Sequence, residues 1–150
     1  MKFYNNWTFY FHDSNNKNWD DESYIKLCEI NNIIDFWTVY DIIKNKLYLG
    51  MFFFMKNDIS PKWEDNNISI LSIKVLKNNV EYCTEYLLTR LLGENILKNE
   101  TDKINSIVGL SVSPKKTFCI FKIWIKDSEI NSADSFDLPN IYHGEPLFRD

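Results

Sequence analysis

A short polar segment, SPKWED at residues 60–65, places a tryptophan directly beside two carboxylates. The proline and the flanking charges argue against a buried strand at this point. Trp63 therefore stands in a loop, although so large an apolar side chain normally gains from burial. A second isolated tryptophan, Trp19, stands in another polar loop at residues 13–23. The chemistry that these loops could perform rests on the two tryptophans and on Glu64.

Two indole rings that face each other form a slot for one flat aromatic ligand. Stacking of a base on an aromatic side chain is worth on the order of 1–3 kcal/mol, and an indole face also attracts cations. Glu64 only accepts hydrogen bonds, and the Watson–Crick edge of guanine offers two donors side by side. Trp19, Trp63 and Glu64 together suit a cationic guanine. Taken singly, either tryptophan can instead cover the core as a lid, and Glu64 can be a solvated charge.

Composition excludes several classes of protein. The chain has 150 residues, of which 45% are hydrophobic and 25% charged, as expected for one globular domain. The net charge of −4 argues against a protein that coats nucleic acid nonspecifically. No apolar run is long enough to cross a membrane, and the first residues lack a signal-peptide core. We therefore expect a cytoplasmic protein without a membrane partner.

The reactive side chains do not form a catalytic motif. Three cysteines, Cys28, Cys83 and Cys119, are an odd number without metal-ligand spacing, which predicts free thiols in a reducing compartment. There are two histidines, His12 and His143, and the four glycines fit no phosphate-binding loop. We expect neither enzymatic activity nor a bound metal or cofactor.

Hydrophobic periodicity predicts an α+β domain that spans residues 1–150. Strand pairs joined by short turns indicate antiparallel pairing, with the helices on one face and the other face free for a ligand. No firm element is predicted in the tail at 127–150, which contains Pro139 and Pro146. The predicted strands are Trp7–His12, Tyr24–Ile30, Leu47–Met55, Ile68–Val75, Ile107–Val112 and Thr117–Lys126, and the predicted helices, each preceded by an asparagine pair, are Ile33–Asn45 and Val80–Leu92.

An ordered series of motifs resembles the eukaryotic translation initiation factor 4E family, the mRNA cap-binding proteins. The series is NNW at 5–7, the loop Trp19, IIDFW at 33–37, SPKWED at 60–65, LLGE at 91–94 and FKIW at 121–124. It covers roughly Asn6 to Asp127, and SPKWED is its most specific member. The resemblance implies a curved antiparallel β-sheet with helices packed on the convex face.

The resemblance also implies roles for individual residues at the cap. Trp19 and Trp63 would stack 7-methylguanosine, and Glu64 would read N1 and N2 of the base. Trp124 is the candidate for the tryptophan that touches the N7 methyl group. The cap phosphates would be held by lysines near the last predicted hairpin, where the family usually shows an arginine; the substitutes here are Lys115, Lys116 and Lys122.

A second surface is implied on the back of the sheet. Family members bind partners that carry Tyr-x-x-x-x-Leu-hydrophobic, and Trp37 with Ile33 would form that surface here. Adjacent helix positions point in different directions, so we expect Phe36 to be buried and Trp37 exposed. The second helix departs from the family pattern, because Glu85 and Tyr86 stand where a hydrophobic residue and a glutamate are usual.

Two function hypotheses follow. In the first, the protein binds capped mRNA and acts in, or interferes with, translation initiation. In the second, it is a cap-independent protein–protein module that captures translation partners through the surface around Trp37. The tail at 127–150 is shorter than the family's closing region, which favours the second hypothesis, whereas the retained Trp19, Trp63 and Glu64 favour the first. The lysine-rich, Asn- and Ile-rich composition indicates an AT-rich, viral or compact genome.

Overall fold

The computed structural model describes residues 1–62, 67–127 and 129–149. Within these residues one sheet of seven strands forms, in the order β2-β1-β3-β5-β6-β4-β7, and all of its neighbouring strands are antiparallel. The strands are β1 (Lys2–Asp13), β2 (Ile25–Asn32), β3 (Gly50–Lys56), β4 (Ile68–Leu76), β5 (Ile107–Pro114), β6 (Phe118–Lys126) and β7 (His143–Arg149), and the helices are α1 (Ile33–Ile43) and α2 (Val80–Leu92). The predicted α+β class, a curved antiparallel sheet with helices on one side, is confirmed.

The strand order differs from the chain order. β3 and β4 follow one another along the chain but do not pair, because the β5–β6 hairpin lies between them. β4 instead pairs with β6 along its whole length, from Ile68 opposite Lys126 to Leu76 opposite Phe118. This arrangement places β5 and β6 inside the sheet, with a paired strand on each side of both.

Both helices begin and end close to the predicted positions. Asn32 caps α1, since its side-chain oxygen accepts the backbone N–H of Asp35 at 2.9 Å while its amide donates to the Asp35 carboxylate at 2.8 Å. Asn79 precedes α2, but its side chain makes no capping hydrogen bond. The end of α2 at Gly93 is confirmed, because the Gly93 N–H donates to the carbonyl of Thr89.

Side-chain alternation along the central strands separates two apolar layers. Phe52 and Phe54 of β3 join the main core, which lies beneath α1 and α2, whereas Phe53 and Met55 join a smaller cluster on the other face. We call these the helix face and the open face of the sheet. The apolar run that predicted β3 thus supplies both layers at once.

The tail contributes the strand that the sequence analysis missed. β7 pairs with β4 at the edge of the sheet, with Arg149 opposite Ile70. Upstream of β7 the tail is fastened to α2 through Asp137, which accepts the Tyr86 hydroxyl at 2.6 Å and the Arg90 Nε–H at 2.9 Å. The described residues of the tail therefore pack against both the sheet and α2.

Candidate functional site

The open face carries a cavity of about 530 Å³. Its walls come from the loop after β1, from β3, β4, β5 and β6, from the segment before residue 63, and from β7. They are mostly aromatic and aliphatic, with two cations at one side. The lining residues are Trp19, Tyr24, Met51, Phe53, Pro61, Ile68, Ile70, Ser111, Lys122, Trp124 and Arg149.

Trp19 forms one wall of this cavity. Its side chain remains 49% exposed, so it does not serve as a buried lid on the core. The indole lies flat against the imidazole of His12, with ring centroids 3.6 Å apart and ring planes within 3°. One indole face is therefore covered by protein, and the predicted ligand residue Trp19 does lie at the cavity.

Trp63 and Glu64, the other two residues of the predicted base-reading set, lie outside the described residues. The segment that leads to them reaches the cavity, since Pro61 lines it. The same segment is joined to the Trp19 loop by an ion pair in which Lys62 Nζ lies 3.0 Å from a carboxylate oxygen of Asp21. This ion pair joins the described start of the second tryptophan loop to the loop that carries Trp19.

Trp124 lies at the floor of the cavity. It belongs to β6 and is only 2% exposed. Its Nε1–H donates to the hydroxyl of Ser111 at 3.2 Å, and its ring meets Phe53 edge-to-face at 6.2 Å. Because the indole N–H is already engaged, Trp124 can offer a ligand its ring surface but no further donor.

The two cations at the cavity are Lys122 and Arg149. Burial lowers the pKa of Lys122, and the nearby charges of Lys115 and Arg149 lower that pKa further. A cluster of like charges in which one member is partly desolvated is well suited to an anion. A second depression, of about 200 Å³, is also lined by Lys122, Arg149 and Ile70. The two cations therefore lie between the cavity and this second depression.

The predicted phosphate-binding lysines are not equivalent in the structure. Lys122 lines the cavity, whereas Lys115 and Lys116 are exposed at the β5–β6 turn and do not line it. Lys115 still acts electrostatically on Lys122, and Lys116 is not among the charges that do. Arg149, which the sequence analysis did not propose, occupies a cavity position because β7 was not predicted.

The helix face presents the second predicted surface. Phe36 is fully buried and Trp37 is 42% exposed, as predicted from their adjacent positions on α1. Ile33 is partly buried and packs against the main core. A shallow hollow beside Trp37 includes Glu85 of α2, whereas Tyr86 turns toward the tail through its hydrogen bond to Asp137.

Residues 1–62, 67–127 and 129–149 contain no group of three or more histidine, cysteine or acidic side chains placed to hold a metal. No helix in the described part of the chain is both long and apolar enough to cross a bilayer. Cys28, Cys83 and Cys119 are free thiols, and burial raises the pKa of each of them.

These features define a class of protein: an antiparallel sheet with helices on one face and an aromatic, cation-edged binding cavity on the other. The family model for eukaryotic initiation factor 4E matches residues 2–137. The chain therefore belongs to the eukaryotic initiation factor 4E family, and the family predicted from the sequence motifs is confirmed. A comparison with curated protein sequences gave no match.

Solved structures of similar fold come from this family. Ascaris suum eIF4E-3 with m7G cap has a TM-score of 0.73 at 19% identity, over 86% of this chain and 75% of that one. A schistosome eIF4E complexed with m7GpppA and 4E-BP has a TM-score of 0.74 at 23% identity, over 86% and 74%. C. elegans eIF4E-3 with the 4E-binding protein Mextli and a cap analog has a TM-score of 0.74 at 19% identity, over 85% and 75%.

The charge cluster at the cavity leads to a prediction about Lys122. Replacing Arg149 by glutamine, or Lys115 by alanine, should raise the pKa of Lys122, because either change removes a like charge that disfavours the protonated amine. The measurement is an NMR pH titration of the Lys122 side chain. Lys116→Ala is the matched control and should leave that pKa in place. Equal shifts from the Lys116 and Lys115 variants would contradict the assigned cluster.

Proposed function

We propose that the protein binds the 7-methylguanosine 5′ cap of mRNA and acts in, or interferes with, translation initiation without catalysing a reaction. The observation that carries this proposal is Trp19, whose indole is held flat against His12 at the wall of an aromatic cavity that Lys122 and Arg149 also line. Membership of the initiation factor 4E family supports it. Relatives of the same fold were solved with m7G cap and with m7GpppA.

The cavity suits the proposed ligand in size and charge. A volume of about 530 Å³ lies within the range of roughly 300–1,000 Å³ that is usual for small-molecule sites. Its aromatic walls favour a flat base. The methylated guanine is itself a cation, and the face of the Trp19 indole would attract its positive charge. Phosphates that leave the base toward Lys122 and Arg149 would meet two positive charges, with Lys115 and Lys116 farther along the β5–β6 turn.

The remaining roles rest on the sequence. Trp63 would close the slot opposite Trp19, and Glu64 would accept the N1–H and the N2 amino group of guanine. Trp124 would present its ring to the N7 methyl group from the cavity floor. Because its N–H is bound to Ser111, this contact would be van der Waals in nature.

A partner surface on the helix face is part of the same proposal. We place there a translation scaffold or repressor that carries Tyr-x-x-x-x-Leu-hydrophobic, seated against Trp37 and Ile33. The exposed indole of Trp37 supports this, as do relatives solved with 4E-BP and with Mextli. The free thiols fit a cytosolic setting for such a complex.

The exposed Trp37 also favours the second candidate function, a module that captures partners without binding a cap. In that case the open-face cavity would bind neither methylated nor unmethylated guanine nucleotide. The two candidates therefore differ in one property, the affinity of the open face for 7-methyl-GTP.

Cap binding is tested by titrating the purified protein with 7-methyl-GTP and with GTP while tryptophan fluorescence is followed. We expect saturable quenching by the methylated nucleotide and much weaker binding of GTP, since only the former carries a positive base. Trp19→Ala should weaken binding by a factor of about 5 to 150, which corresponds to the loss of one stacking contact of roughly 1–3 kcal/mol. Glu64→Ala should also weaken it.

Trp37→Ala is the matched control for this titration, because it removes one exposed tryptophan from the opposite face. It should leave the affinity for 7-methyl-GTP unchanged. Equal binding of GTP and 7-methyl-GTP, or no binding of either, would exclude the cap function and leave the partner-capture function.

Partner binding is tested with the same two variants in exchanged roles. A synthetic peptide that contains Tyr-x-x-x-x-Leu-hydrophobic should bind the wild-type protein in a calorimetric titration. Trp37→Ala should weaken it by more than about tenfold, as expected when an aromatic residue at the centre of an interface is removed, and Trp19→Ala should not. A peptide affinity that is insensitive to Trp37 would contradict the proposed surface.

A further inference from the structure

We propose that His12 is a positioning residue for the nucleobase slot: its imidazole holds Trp19 in the orientation that receives the base. This inference rests on the proposed cap-binding function. It assigns to a buried histidine of β1 the task of fixing the geometry of the stacking wall.

The stacking geometry is the first observation. The His12 and Trp19 rings are 3.6 Å apart at their centroids and parallel to within 3°. His12 is only 1% exposed, whereas Trp19 is 49% exposed and lines the cavity. A rigid, buried ring therefore backs one indole face and leaves the other available. Without the imidazole the indole could tilt into the space that His12 fills.

The hydrogen bond of His12 is the second observation. Its Nε2 lies 2.8 Å from the backbone carbonyl oxygen of Asn18, the residue immediately before Trp19. A carbonyl oxygen only accepts, so Nε2 carries the proton and donates it. His12 thus holds the loop at two successive residues, through the backbone of Asn18 and through the ring of Trp19. Tyr24 closes the group, with its ring 5.4 Å from that of His12 and 5.9 Å from that of Trp19.

The test compares the affinities of the wild-type protein, His12→Phe and His12→Ala for 7-methyl-GTP. His12→Phe keeps a flat ring behind Trp19, so we expect it to stay close to the wild-type affinity. His12→Ala removes the ring, and we expect it to weaken binding by about fivefold or more, toward the loss of one stacking contact. Wild-type affinity in His12→Ala would overturn the proposal.

A ligand-free measurement tests the positioning role independently. His12→Ala should accelerate amide hydrogen exchange across residues 14–20, and His12→Phe should restore slower exchange. Phe9→Leu is the matched control, because Phe9 is a fully buried β1 residue in the main core on the helix face. It should lower overall stability without selectively loosening the loop. Unchanged loop exchange in His12→Ala would overturn the proposal.

The two measurements separate this inference from the proposed function. A wild-type protein that fails to bind 7-methyl-GTP would end the cap-binding proposal. The positioning of Trp19 would then be decided by hydrogen exchange alone. A wild-type protein that binds the nucleotide no better than His12→Ala does would overturn the role of His12 and leave cap binding intact.

Discussion

The alternation of side chains along the central strands is the constraint on which the rest of this structure depends. Successive residues of a strand point to opposite faces of the sheet. In β3, Phe52 and Phe54 therefore pack in the core beneath the helices, whereas Phe53 and Met55 lie on the open face. β6 does the same, placing Phe121 and Ile123 in the main core and Trp124 at the cavity floor. One sheet therefore supplies both the stability of the domain and the aromatic floor of the site.

The loops and the tail supply the remaining walls of the open-face cavity. The loop after β1 is fixed to the strand itself through His12, and it is joined to the next loop by the Asp21–Lys62 ion pair. At the other side of the cavity, β7 brings Arg149 beside Lys122. The helix face bears Trp37 on the far side of the sheet. Under the proposed function, a cap and a partner peptide would not compete for space.

Local patterns predicted the local elements well. The helix Val80–Leu92 was predicted to the residue, and Asn32 and Gly93 marked real helix ends. The family series of motifs singled out Trp19, which lines the open-face cavity, and the adjacent helix positions of Phe36 and Trp37 predicted that Trp37 is exposed. These features depend on residues close in sequence or on motifs with a fixed order, which is the information that one sequence contains.

Features that depend on distant pairing were not predictable in the same way. β7 is an edge strand with an exposed pattern and Pro146 within it, so nothing in its periodicity distinguishes it from a loop; only its pairing with β4 defines it. Arg149 was missed for that reason. His12 was read only as one of two histidines, because its role depends on a ring contact with a residue seven positions later in a loop. The position of β5 and β6 between β3 and β4 likewise depends on pairing between residues that are far apart in the sequence.

The central claim is that the free face of Trp19 receives a methylated guanine. The most direct measurement is an NMR experiment on the complex with 7-methyl-GDP, in which nuclear Overhauser contacts of the N7-methyl protons are recorded. The account predicts contacts from that methyl group to the indole protons of Trp19 and Trp124, with an upfield ring-current shift of the methyl signal. Methyl contacts confined to the helix face around Trp37, or a bound nucleotide without any contact to Trp19, would contradict it.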